Sequence, residues 1–338
     1  MRGEIITRDE MLAIPAYEIS DLGQIPPNPL VSVIVTTYNH EAYIEQTIEW
    51  ILAQQCDFPL ELIIGEDKSQ DRTLSICLDY QRRYPQLIRL VTWHENVGGN
   101  ENFLRVWGRA RGKYVAMCEG DDYWVNPAKL TKQVALMEQF PDTILCGAGA
   151  QTLPPNSMLN YLQDMKPQFS TEELIIQRMY FHTSTFFFRS EGFQIPKSAR
   201  RGLADNVILV IASLQGTVRC IPDTVSVYRL HEKGVYWGID KVGKIGLQLE
   251  WVRTISGFID ERYFWLITKQ EDFIRAMLCH ALISSGQLTQ ARGLFKDVFR
   301  RLARHQPIIA MVLTFHVCLP RLYHKLSSAW RKRKSLLQ

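Results

Sequence analysis

The chain has 338 residues, of which 46% are hydrophobic and 11% aromatic, enough for one large domain with an appendage and too apolar for a disordered polymer. Its formal net charge of +4 is spread over mixed acidic and basic segments, so the totals give no case for nucleic-acid binding. The seven cysteines are odd in number, far apart and mostly set in apolar segments, which reads as reduced core thiols in a cytoplasmic protein. The opening residues 1–18 are too acidic for a signal peptide, and no run supplies the ~20 apolar residues needed to span a bilayer.

After a lead-in that ends in IPPNPL, residues 30–36 (LVSVIVT) are β-branched and apolar, as in a strand buried on both faces. Apolar positions at Ile44, Ile48, Ile51 and Leu52 recur at helical spacing through residues 41–54, and residues 60–65 (LELIIG) form a second strand. The alternation continues with a helix through Leu74, Leu78 and Tyr80, a strand over 88–92, a helix through Phe103, Leu104 and Trp107, and a strand over 114–118. Such alternation implies an α/β fold, a parallel sheet with helices on both faces. Beyond Phe140 the pattern is mixed, with short strands over 143–146, 185–188 and 226–229 and a polar loop over 154–166. From about Lys241 it is helical, including 273–284 and 288–302.

Ligands of an open parallel sheet bind where the strands end, so the loops after the strands hold the candidates. Thr36, Thr37, Tyr38 and Asn39 follow the first strand; they suit a ligand, or a plain turn in which Asn39 caps the next helix. After the second strand, the carboxylates of Glu66 and Asp67 can accept hydrogen bonds from a base N–H or a ribose hydroxyl, whereas Ser69 and Asp71 read as helix caps. After the fourth, YVAMC breaks into Glu119, Gly120, Asp121 and Asp122. Three carboxylates in four residues repel one another and call for a cation or solvent. Oxygen-only ligation suits Mg2+ or Mn2+; a solvated acidic turn is the plain alternative.

The segments VSVIVTTYNHEAYI, EDKSQDRT and EGDDYW, in this order, closely resemble the family 2 glycosyltransferases, which have the GT-A fold, over about residues 31–140. The resemblance implies a Rossmann-like, mainly parallel sheet, a nucleotide-diphospho-sugar donor, usually with UDP, and transfer with inversion. It places Asp67 at the base, and Asp121 and Asp122 at the metal and diphosphate, with Glu119 where Asp is more usual. A weaker likeness through HTSTFFFR, GLADNVILVIASLQG and SVYRLHEKGVYW matches Asp205 to the catalytic base and His231 to a further metal or diphosphate contact. Ala204 precedes Asp205 where relatives carry Gly. His231 reads equally as an exposed loop histidine, and His182 as a structural or acceptor-side residue. Three parts are expected: a lead-in over 1–30, a catalytic domain over 31–237, and a helical region with a basic tail over 238–338.

On this reading Asp205 deprotonates an acceptor hydroxyl on a glycan or lipid-linked acceptor while Mn2+ or Mg2+ offsets charge on the leaving diphosphate. A bacterial surface-glycan or polysaccharide pathway is the setting by resemblance. The apolar residues 307–320, followed by Arg321, Lys325, Arg331, Lys332, Arg333 and Lys334, read either as peripheral attachment to the inner face of the membrane or as a core helix with a solvated tail. A processive synthase lacks its QxxRW motif here, and a nucleotidyltransferase its phosphate loop. A non-catalytic nucleotide-sugar-binding or scaffold protein on the same fold is the alternative from a different class.

Overall fold

The computed structural model describes residues 1–155, 166–176, 180–232, 234 and 238–305. The expected basic tail and apolar stretch 307–320, and most of the loop over 154–166, lie outside the described residues. The chain forms two compact units. The first is Met1–Leu230 with Gly257–Asp260; the second is His231–Ser256 with the described residues from Glu261 onward.

In the first unit, α1 (Arg8–Leu12) and β1 (Tyr17–Ile19) precede four strands joined by three helices. These are β2 (Val31–Thr37), α2 (Ile44–Leu52), β3 (Leu60–Glu66), α3 (Thr73–Arg83), β4 (Ile88–Thr92), α4 (Gly99–Trp107) and β5 (Tyr114–Glu119). Then follow β6 (Tyr123–Trp124), α5 (Lys129–Gln139), β7 (Thr143–Leu153), β8 (Gln168–Phe169), α6 (Thr171–Ile176), β9 (Phe187–Arg189), α7 (Asp205–Ser213) and β10 (Thr217–Arg229). The ten strands make one sheet in the order β1-β4-β3-β2-β5-β9-β7-β10-β6, with β8 on β10. β4, β3, β2 and β5 run parallel, as the alternation requires.

The sheet is mainly parallel in its front half, as expected, and mixed beyond it. β9 lies antiparallel between β5 and β7, and β1, β6 and β8 are antiparallel edge additions. β7 is longer than the expected 143–146 because its second half, Gly147 to Ala150, carries small residues rather than β-branched ones. The small residues make room for an aromatic: a Cβ on Gly147 would lie 2.5 Å from the Phe181 ring. β10 begins well before the expected 226–229, and its pairing with β7 shifts register across Cys220 to Thr224, the stretch that holds Pro222.

The central core joins Val33, Val35, Leu62, Ile64 and Ala116 of the strands to Ile44, Ile48 and Ile51 of α2, all essentially fully buried. Each of the Val, Leu and Ile side chains contributes about 1.5–3 kcal/mol. At the opposite end of the strands from the candidate loops, fully buried Glu61 pairs with Arg89 (2.9 Å) and Arg111 (2.7 Å) and accepts the Ser32 hydroxyl (2.6 Å). Arg89 also pairs with Glu18 at 2.7 Å, which ties the lead-in strand into the domain.

In the second unit, α8 (Lys241–Ser256), α9 (Phe264–Ser284) and α10 (Leu288–His305) pack around Cys279, Leu282, Ile283 and Ala291. α9 starts nine residues earlier than the expected 273, about two and a half turns, and buries Leu266 and Ile267 there. Among the described residues no helix is long and apolar enough to cross a membrane.

Candidate active site

Parallel register brings the predicted loops together. Thr36 of β2 pairs with Glu119 of β5, and Thr37 pairs with Glu66 of β3, so the three strands end side by side. Asn39 turns the chain with φ 56°, a left-handed conformation that Asn tolerates. Its amide donates to Ser69 Oγ (2.9 Å) and its side-chain oxygen accepts from Gln70 N (2.8 Å). His40 N donates to Thr73 Oγ1 at 2.8 Å, and Asp71 accepts from Thr73 N at 2.9 Å just ahead of α3, whose cap position is Arg72 rather than the expected Asp71. The loops after β2 and β3 are thus laced together, with Tyr38 40% exposed beside them.

Glu66 and Asp67 are buried and engaged. Glu66 accepts from Ser69 N (2.6 Å), Lys68 N (3.2 Å) and Thr92 Oγ1 (2.8 Å). The two oxygens of Asp67 accept Val97 N (2.8 Å) and Gly98 N (2.9 Å), and Arg105 Nη2 stands 3.6 Å away. Both side chains therefore hold the loops after β3 and β4. A carboxylate has about four acceptor sites, so Asp67 retains capacity for a donor on a ligand.

The acidic loop divides its carboxylates. Asp122 is 1% exposed; its Oδ1 accepts Arg229 N at 2.9 Å and its Oδ2 lies 3.5 Å from His182 Nδ1. Asp121 is 19% exposed and faces His40, whose Nε2 lies 3.6 Å from its Oδ2. The loop is pinned to α2 by Thr47, whose hydroxyl donates to the Asp122 carbonyl at 2.5 Å. Gly120 is required where the loop meets β2, since a Cβ there would lie 2.5 Å from Thr37 Oγ1 and 3.0 Å from His40 Nδ1.

Arg229, at the end of β10, clasps the same loop. It donates to the Asp121 carbonyl (2.5 Å) and to Gln46, and its guanidinium lies 4.3 Å from the Tyr123 ring centre. His182 is buried, bonds Ser184 Oγ at 2.8 Å and stacks on Tyr228 at 4.1 Å. Burial pushes its imidazole down to about 4, against the opposing pull of Asp121.

Negative charge is crowded here. Burial, then the charges of Asp205 and Asp121, push the Glu119 carboxyl up to about 8, although a Thr183 hydrogen bond opposes the rise. Asp122 is also raised well above the usual carboxylate range, by burial and by Asp121 and Glu119. Glu119, Asp122 and His182 present ligand atoms within 4.8 Å of one another. Thr37 Oγ1 and Glu119 Oε2 are buried without a hydrogen-bond partner among the described residues. Orphaned oxygen atoms amid excess negative charge fit a hard divalent cation.

Asp205 opens α7, and burial pushes its carboxyl up to about 6 against the hydrogen bond of its own backbone amide. Its charge is one of the causes that raise the Glu119 carboxyl, so it stands within electrostatic range of the acidic loop. His231 belongs to the second unit.

Four of these side chains were not singled out from sequence. His40 sits one residue beyond the Thr36–Asn39 candidates, and Arg229 two residues before His231; their signal was position at strand ends. Gln46 and Thr47 lie inside a helical pattern and carried none.

Residues 32–193 match the profile described as Glycosyl transferase family 2. The chain is 31% identical over 245 residues to Uncharacterized protein Rv1520 of Mycobacterium tuberculosis, a match covering 70% of this chain and 63% of that one. It is 38% identical over 109 residues to the Putative teichuronic acid biosynthesis glycosyltransferase TuaG of Bacillus subtilis, covering 32% of this chain and 42% of the relative. The chain thus spans less than two thirds of the length of these curated relatives. Among solved structures, S. aureus TarS 1-349 in complex with UDP-GlcNAc superposes with TM-score 0.58 at 17% identity, covering 89% of this chain and 91% of that one. Mannosyltransferase PcManGT from Pyrobaculum calidifontis, in complex with GDP-Man and Mn2+, superposes with TM-score 0.53 at 18% identity, covering 93% of each. The sheet, its parallel strand ends and the acidic loop are those of a glycosyltransferase with the GT-A fold. Residues 32–193 are thus the family 2 glycosyltransferase region of the chain.

Proposed function

We propose that this chain transfers a single sugar, with inversion, from a nucleotide-diphospho-sugar to a hydroxyl of a glycan or lipid-linked acceptor. The observation that carries the reading is the grouping of Asp205 with Glu119, Asp121 and Asp122 at the ends of parallel strands. A carboxyl raised to about 6 is largely ionised at neutral pH yet more basic than an ordinary aspartate. Asp205 accordingly accepts the acceptor proton as its oxygen attacks the anomeric carbon.

Asp121 and Asp122 would hold a divalent ion, Mn2+ or Mg2+, with Glu119 beside them; when bound, it offsets charge on the departing diphosphate. Thr36, Thr37, Tyr38 and Asn39 line the donor side, and Asp67 and Glu66 fix its floor. The role of His231 rests on the resemblance alone. UDP is the nucleotide proposed by resemblance; the fold neighbours bind UDP-GlcNAc in one case and GDP-Man in another, so the likeness does not select between them. A role in bacterial surface-glycan synthesis at the inner face of the membrane is proposed with it, in keeping with the relative named for teichuronic acid biosynthesis.

The experiment is release of nucleoside diphosphate from a panel of UDP-, GDP- and dTDP-sugars by the native chain and by Asp205→Asn. Metal-dependent release from one donor class, reduced about 100-fold or more in the variant, is the expected result. Equal release by both proteins would remove Asp205 from the reaction. Tight donor binding without release from any donor would favour a binding protein on this fold.

A further inference from the structure

We propose that His40 is a protein ligand, alongside Asp121, of the divalent cation at the acidic loop, and that its nitrogen makes the site select Mn2+ over Mg2+. This rests on the metal-dependent reading given above and names a donor that reading does not include.

The 3.6 Å between His40 Nε2 and Asp121 Oδ2 is a span one ion can bridge. Two metal–ligand bonds of about 2.2 Å meeting at roughly 110° leave their ligand atoms about that far apart. Both side chains are 19% exposed, so an ion between them can also meet water and phosphate oxygens. The neighbouring pair, Asp122 Oδ2 and His182 Nδ1, is similarly spaced at 3.5 Å but buried to 1% and 6% exposure. Each partner there is already engaged, Asp122 by the Arg229 amide and His182 by Ser184.

The imidazole is held for the purpose. Its backbone amide is fixed by Thr73 Oγ1 at 2.8 Å, and its ring meets Tyr43 edge-on at 6.4 Å between centres. Thr37 Oγ1 and His40 Nδ1 both abut Gly120, and that threonine, 2% exposed, has no hydrogen-bond partner among the described residues. A buried orphan hydroxyl beside the ring is an independent sign that something polar is meant to occupy the adjoining space. Mg2+ demands oxygen ligands and dehydrates reluctantly, whereas imidazole is a normal donor to first-row transition ions. A mixed nitrogen and oxygen site therefore discriminates against Mg2+.

The test is pulsed electron paramagnetic resonance of the full chain loaded with Mn2+, alone and with UDP or GDP, reading the modulation from a directly bound nitrogen. The native protein is expected to show it, and His40→Ala to lose it. His40→Gln, which offers an oxygen in place of the nitrogen and guards against a folding defect, is expected to lose the modulation too. It should narrow the Mn2+ to Mg2+ affinity ratio by about tenfold or more. Nitrogen modulation that survives in His40→Gln but vanishes in His182→Ala would overturn the assignment in favour of the inner cluster. Mn2+ binding that depends on Asp121 but shows no nitrogen in the native protein would overturn it while sparing the metal reading. Absence of any Asp121-dependent Mn2+ binding would remove both.

Discussion

The backbone amide of Arg229 donates to Asp122 Oδ1 at 2.9 Å, joining the end of β10 to the acidic loop that follows β5. Asp122 is thus a bracket between distant parts of the chain, whereas its neighbour Asp121 faces the open side. Removing the acceptor leaves a buried N–H unsatisfied, a loss of about 1–3 kcal/mol. Asp122→Ala is therefore expected to lower the melting temperature, while Asp121→Ala stays within about 0.5 kcal/mol of native and loses cation binding. Thermal melts of both variants decide it, and equal destabilisation would contradict the division of roles.

Asp205 trades stability for basicity. Its pKa is raised to about 6, so the folded state favours the protonated acid. That stabilisation is complete below the unfolded value near 3.8 and is lost as pH rises through about 6. Turnover should therefore fall on the acid side with an apparent pKa near 6, and Asp205→Asn should lose turnover while gaining on the order of 1–3 kcal/mol at neutral pH. A variant that is both inactive and less stable would refute the burial argument.

Lys129 is fully buried over the Trp124 ring at 4.1 Å, with Gln133 Oε1 as its hydrogen-bond acceptor at 2.8 Å. Burial lowers its pKa to about 7 from 10.5, so the folded state favours the neutral amine. Stability should rise with pH between those two values, because only the unfolded chain is protonated there. Lys129→Met is expected to flatten that rise and to stabilise the protein by about 1–3 kcal/mol at pH 6. A lower melting temperature at pH 6 would show that the contact with Trp124 outweighs desolvation.

Gly120→Ala would drive a methyl to 2.5 Å from Thr37 Oγ1 and 3.0 Å from His40 Nδ1. Overpacking of this kind costs about 1–3 kcal/mol, and it displaces the side chain that faces Asp121. Weaker cation binding in calorimetry together with a lower melting temperature is the expected pair of outcomes. An unchanged affinity would show that the loop yields without disturbing the site.

The front half of the fold was legible because β2, β3 and β5 are β-branched runs separated by helices with regular apolar spacing. Their ends, and hence Thr37, Glu66 and Glu119, followed from that regularity. β7 was largely hidden because its second half is small residues without β-branching, and Gly147 owes its place to packing against Phe181, a contact between segments far apart in sequence. The inward turn of Asp122 and the pairing of His40 with Asp121 were likewise invisible. They depend on the return of β10 and on lacing between two loops, neither of which local spacing records.

The most direct measurement is calorimetric titration of UDP and GDP into the native chain and Asp121→Ala, with Mn2+, Mg2+ or chelator present. Binding of one nucleotide that requires the cation and is lost in the variant is the predicted result. Nucleotide binding of equal strength with chelator and in Asp121→Ala would contradict the account of the acidic loop as the metal-bearing donor site.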